Sequence, residues 1–123
     1  MSQYSAPLKD MQFVIEELVG LAEITAMPAC ADVTPDLVVA VLAEAGKFAA
    51  EVLDPLNRIG DQEGAQLANG IVTPPAGFAE AYKQFTAAGW NGLSGPVDFG
   101  GQGLPHIVAM AVQEMWNLSL IHI

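Results

Sequence analysis

Apolar residues at Met11, Val14, Ile15, Leu18 and Ala22 recur at spacings of three and four, with Gln12, Glu16, Glu17 and Glu23 elsewhere on the wheel. That period predicts a helix from about Leu8 to Leu21. A loop follows from Thr25 to Val33, holding Met27-Pro28 and Cys30. Thr34-Pro35-Asp36 is the clearest start signal in the chain. Thr34 can accept a backbone N–H, Pro35 has the φ of a first helical residue, and Asp36 complements the positive helix end. The helix it opens sets Val38, Val41, Leu42, Ala45, Phe48, Ala49 and Val52 on one side. Asp36, Ala40, Glu44, Lys47 and Glu51 lie on the other, with Lys47 in reach of both glutamates. Pro55 predicts an end or a kink near Leu53.

Residues 57–74 follow neither period and are rich in Gly, Asn and Asp, so they read as loop. Within them, Leu67 to Val72 predicts a short extended piece around the Asn69-Gly70 turn signal. Thr73, Pro74 and Pro75 introduce a third helix from about Ala76 to Ala87. Phe78, Ala81, Tyr82 and Phe85 fall on one of its faces, and Gly89 follows as its C′ residue. A second glycine-rich loop, Gly92 to Gly103, leads to Pro105, which opens a fourth helix reaching about Asn117. Ile107, Val108, Ala109, Met110, Ala111, Val112 and Met115 surround nearly its whole circumference. A helix apolar all round is normally buried all round, so the pattern predicts further protein packed against it. The fold class that emerges is all-α, a bundle of about four main helices joined by Gly-rich loops.

Composition narrows the function. Hydrophobic residues make up 52% of the 123 positions, enough for one core and too many for a disordered acidic tail. Fourteen acids against four bases give a net charge of −10, which opposes binding to a nucleic-acid backbone. The acids are spread singly and read as solvated helix faces. Cys30 stands alone, so no internal disulfide forms, and a reducing, cytoplasmic setting fits. The start of the chain lacks the pattern of a secretory signal, and no apolar run approaches the ~18 residues of a membrane span.

The residues that carry chemistry elsewhere lack their partners here. Gly101-Gln102-Gly103 precedes a helix, but His106 occupies the third position after Gly103, where a dinucleotide fingerprint needs glycine. A tight turn is the simpler reading. His106 and His122 have no metal-ligand spacing, and the sequence predicts no metal site. Ser94 and Ser119 have no nucleophile-elbow context, and Cys30 has no recognisable activating partner. Trp90 and Trp116 read as core or interface aromatics ahead of ligand-stacking ones. No catalytic residue is predicted.

Three ordered stretches do match a known pattern. Asp54-Pro55-Leu56-Asn57-Arg58-Ile59-Gly60-Asp61-Gln62-Glu63-Gly64 comes first, then Val72-Thr73-Pro74-Pro75-Ala76-Gly77-Phe78, then Gly89-Trp90. Together they resemble the N-terminal helical domain of the acyl-CoA dehydrogenases. Pro96-Val97-Asp98-Phe99-Gly100-Gly101-Gln102-Gly103-Leu104-Pro105 resembles that family's Pro…Gly-Gly-x-Gly loop before a long apolar helix. Tyr4-Ser5-Ala6-Pro7-Leu8-Lys9-Asp10-Met11 is similar to the N-terminal extension of a larger subgroup, which includes the methylthiopropanoyl-CoA dehydrogenases.

The resemblance implies an FAD enzyme that removes hydrogens from the α and β carbons of an acyl-CoA. A carboxylate takes the α proton, the flavin takes the β hydride, and electron-transfer flavoprotein collects the electrons. It also implies a homo-oligomer built from this domain, a β domain and a second helical domain. The catalytic glutamate and most FAD contacts belong to the later domains, so Glu44, Glu63 and Glu114 are not promoted to base. The N-terminal helices wall the acyl pocket. Phe99, Gly100, Gly101 and Gly103 are the candidates for approach to substrate or flavin, since glycine permits close backbone contact.

The expected layout is a helical domain over 1–117, its extension over 1–33, and an anomalous end over 118–123 read as a truncation. The chain by itself is expected to be inactive, to bind no FAD and to self-associate. The competing expectation is a stand-alone helical interaction module without enzymatic activity. Such a module should carry a polar outer face on its fourth helix.

Overall fold

The structure, a computed structural model, describes residues 3–120. The first predicted helix is two pieces. Helix α1, Leu8–Phe13, passes into a wide π turn over Val14–Leu18, closed by the Val19 N–H on the Val14 carbonyl at 2.9 Å. Gly20 then takes φ +82°, a left-handed conformation that breaks a right-handed helix and costs glycine little. Helix α2, Leu21–Thr25, restarts beyond it. The loop that follows contains one short 3₁₀ turn, Pro28–Cys30.

Helix α3, Pro35–Phe48, begins as its sequence predicts, with the Leu37 N–H donating to the Thr34 hydroxyl oxygen at 3.2 Å. Of the end or kink expected near Leu53, the end is absent, but the regular α geometry is interrupted there. A second π turn, Ala49–Leu53, leads straight into helix α4, Asp54–Glu63. Proline lacks an N–H, and in α geometry its ring strikes the carbonyl four residues back. The π turn lets the Asp54 N–H reach the Ala49 carbonyl, five residues back, and Pro55 enters as an early residue of α4. Residues 57–63, read as loop from sequence, are therefore helical, with Gly60 buried.

Strands β1, Gln66–Ala68, and β2, Ile71–Thr73, form an antiparallel hairpin in which Leu67 pairs with Val72. Asn69 and Gly70 both have positive φ, as the two-residue turn between such strands requires. The hairpin is exposed along its whole length. Helix α5, Phe78–Ala87, starts two residues later than expected, after Gly77. Its end is closed by Gly89 in the left-handed region, whose N–H reaches the Thr86 carbonyl at 3.0 Å. Lys83 and Glu80 form an exposed ion pair on this helix at 4.0 Å.

Helix α6, His106–Ser119, threads the core. Val108, Val112 and Met115 are fully buried, alongside Leu42, Ala45 and Ala49 of α3 and its π turn. Within the described residues the helix is not buried all round. His106, Gln113, Glu114 and Asn117 face outward with Met110 and Leu118, while Ile107, Ala109 and Ala111 sit half-buried between the two faces. The sequence pattern ran together a buried stripe, its small flanking residues and two exposed apolar side chains. Leu118 and Ser119, assigned to the anomalous end, continue α6, and Leu120 is buried; residues 121–123, including His122, lie outside the described residues. The fold is all-α apart from the hairpin. Among the described residues, no helix is long and apolar enough to cross a membrane.

Candidate functional site

Two features occupy the α5–α6 side of the molecule. The first is an open groove of about 590 Å³ between the two helices. Phe78, Tyr82 and Phe85 line it from α5, and Trp116, Gln113 and Asn117 from α6, with Leu53, Pro74 and Leu120 also in its lining. The sequence placed Phe78, Ala81, Tyr82 and Phe85 on one helix face, and that face is the groove wall. The opposite wall was not foreseen, because it depends on how α6 docks.

Trp116 fixes the groove to the core. Its ring meets Phe48, Phe85 and Trp90 edge to face, at centroid distances of 5.6, 5.8 and 5.3 Å. Such packing adds to the burial of the rings themselves. Both tryptophans pack in this aromatic cluster, and Trp116 also lines the groove. Among the described residues, the groove wall holds no carboxylate, histidine or lysine. Asn117 donates its amide N–H to the Gln113 carbonyl at 3.0 Å. Such a wall can hold an apolar group and exclude water.

The second feature is the loop Gly92 to Gly103, which joins the end of α5 to the start of α6. It contains Phe99, Gly100, Gly101 and Gly103 and is knitted to itself. Phe99 and Gly101 both donate to the Pro96 carbonyl, and Gly100 to that of Val97. Gln102, Gly103 and Leu104 donate to the carbonyls of Gly92, Gly95 and Leu93, at 2.8 to 2.9 Å. Every backbone N–H from Phe99 to Leu104 is used inside the protein. This stretch does not fit a flavin or its phosphates as a set of hydrogen-bond donors. Gly100 faces open space, and Phe99 is 89% exposed.

Other residues weighed from sequence have structural partners or stand apart. Glu63 accepts the Ala76 N–H at 3.1 Å, and the buried Ser119 hydroxyl donates to the Met115 carbonyl at 2.8 Å. Cys30 is half-buried at the end of its 3₁₀ turn, and His106 is exposed. Among the described residues, no three His, Cys, Asp or Glu side chains gather where a metal could be held. Sequence reasoning missed the surroundings of Tyr4. Its hydroxyl is covered and has no hydrogen-bond partner among the described residues, and burial raises its pKa above the ordinary tyrosine value, with the Glu114 carboxylate adding to the shift.

The chain is 42% identical over 114 residues to the 3-methylmercaptopropionyl-CoA dehydrogenase of Ruegeria pomeroyi. That relative is a member of the acyl-CoA dehydrogenase family. The match covers 93% of this chain and 19% of that relative's length. No family model matches the chain. The likeness accords with the all-α architecture and with the order of motifs from Asp54 to Leu104.

Proposed function

We propose that the chain is the N-terminal helical part of an FAD-dependent acyl-CoA dehydrogenase, with residues 1–117 as the domain and 1–33 as its extension. The α5–α6 groove forms part of the wall of the acyl pocket. The supporting observation is a mostly apolar groove that, among the described residues, is lined by no carboxylate, histidine or lysine, carried on a sequence 42% identical to a dehydrogenase. The wall's role is to hold the acyl chain away from water while other parts of the longer enzyme act on it. The α,β-dehydrogenation would use a carboxylate and FAD contacts outside these residues, with FAD accepting the hydride. Acyl-CoA, electron-transfer flavoprotein and further copies of the whole enzyme are the partners this reading carries.

A chimera tests it. The corresponding 114 residues of the relative are exchanged for those of this chain, and the product is assayed for flavin content and acyl-CoA oxidation. Retention of both is expected. A chimera that folds, holds flavin and binds no acyl-CoA would remove the pocket role.

A second reading is the stand-alone helical interaction module. What favours it is the part of α6 away from the groove, where His106 and Glu114 are exposed. A chimera that fails to assemble, beside a monodisperse and stable 123-residue chain, would move the balance to that reading.

A further inference from the structure

We infer that the Gly92–Gly103 loop is a preformed staple between α5 and α6, and that its backbone is closed to flavin and phosphate. Its glycines are explained by the loop itself. A Cβ on Gly101 would fall on the backbone of Gly95, so the two chain segments touch with nothing between them. Gly92 also packs against the Gly101 Cα. Gly100 and Gly103 have φ of +82° and +65°, which other residues adopt at a cost. The loop is tied to α5 by Gln102, whose side-chain N–H donates to the Gly89 carbonyl at 3.1 Å. It is tied to the start of α6 by the Leu104 N–H on the Leu93 carbonyl.

An anion cradle has the opposite arrangement. Its successive N–H groups point outward and lack protein partners. Here the six N–H groups from Phe99 to Leu104 already have carbonyl partners, and opening them to a phosphate would unpick the connection between two core helices.

Amide hydrogen exchange on the 123-residue chain tests the staple directly, with inorganic pyrophosphate and FAD as probes. The amides of Gly101 to Leu104 are expected to exchange more slowly than those of the exposed Asn69-Gly70 turn, and neither probe changes them. Saturable protection or chemical-shift change at these amides with either probe overturns the inference. A second arm rests on the dehydrogenase reading and uses the chimera described above, whose unmodified form is its control. Gly101→Ala is expected to lower the melting temperature or abolish folding. Gly100→Ala, which adds strain but meets no neighbour, is expected to fold and keep its flavin. A Gly101→Ala chimera that melts normally but has lost its flavin would overturn the staple.

Discussion

The backbone N–H of Tyr4 donates to the carboxylate of Asp54 at 3.2 Å, joining positions fifty residues apart. Asp54 stands where the second π turn passes into α4, so the N-terminal segment is anchored at the most irregular point of the α3–α4 rod. Two residues further on, Ala6 sits against Gly46, where a Cβ would come within 3.1 Å of the alanine methyl. Gly46→Leu should therefore lift the segment before α1 off the core. Limited proteolysis reads this as faster cleavage before Leu8, with the rest of the domain resistant. Unchanged cleavage would mean that the contact with Gly46 does not hold the segment.

The same segment gives the protein an alkaline limit. Below the ordinary tyrosine pKa of 10.0, Tyr4 is neutral in both folded and unfolded states and its contribution is fully present. As pH rises past that value the unfolded chain ionises first, because the folded pKa is raised, and stability is lost up to the folded pKa. Tyr4→Phe should flatten this decline in urea midpoints measured between neutral and strongly alkaline pH. At neutral pH it should cost little, since the hydroxyl it removes is covered and has no partner among the described residues. An identical alkaline slope in wild type and variant would show that other groups set the limit.

The Thr34 cap gives a sharper local test. Its hydroxyl accepts the Leu37 N–H in the first turn of the helix that carries Leu42 and Ala45. Thr34→Ala should destabilise the protein by about 1 kcal/mol, and Thr34→Ser should restore most of the loss. Urea denaturation of the two variants decides the matter. Equal losses in both would point to the threonine methyl and not to the cap.

Punctuation residues were the legible part of the sequence. Thr34-Pro35-Asp36, Asn69-Gly70 and Gly89 each act within a few positions of themselves, and each stands where its chemistry places it. The continuation through Pro55 was not legible, because it depends on a π turn that widens the helix just before the ring. The break at Gly20 was hidden by an apolar period that carries on across it. Of the candidate site, the α5 face was readable and the α6 wall was not. Trp116 gives no sign in sequence that three other rings meet it. For the glycines at 100, 101 and 103, the carbonyls that take up their N–H groups were not readable in the sequence.

Trp116 carries the most weight of any single side chain on the groove side. It is 4% exposed, meets Phe48, Phe85 and Trp90 edge to face, and forms part of the groove wall. Trp116→Ala removes the centre of that cluster, and the helices around it can close the space only in part. A loss of about 3–5 kcal/mol is expected, a large share of the ~5–15 kcal/mol that holds a domain folded. Trp116→Phe keeps an apolar ring and should lose markedly less. Urea unfolding followed by far-ultraviolet circular dichroism measures both without relying on tryptophan emission. In the chimera, Trp116→Phe should enlarge the groove and raise KM for acyl-CoA with little change in kcat, since the ring contributes binding and no proton transfer. An unchanged KM with an intact fold would place the acyl chain elsewhere and leave Trp116 as a packing residue alone.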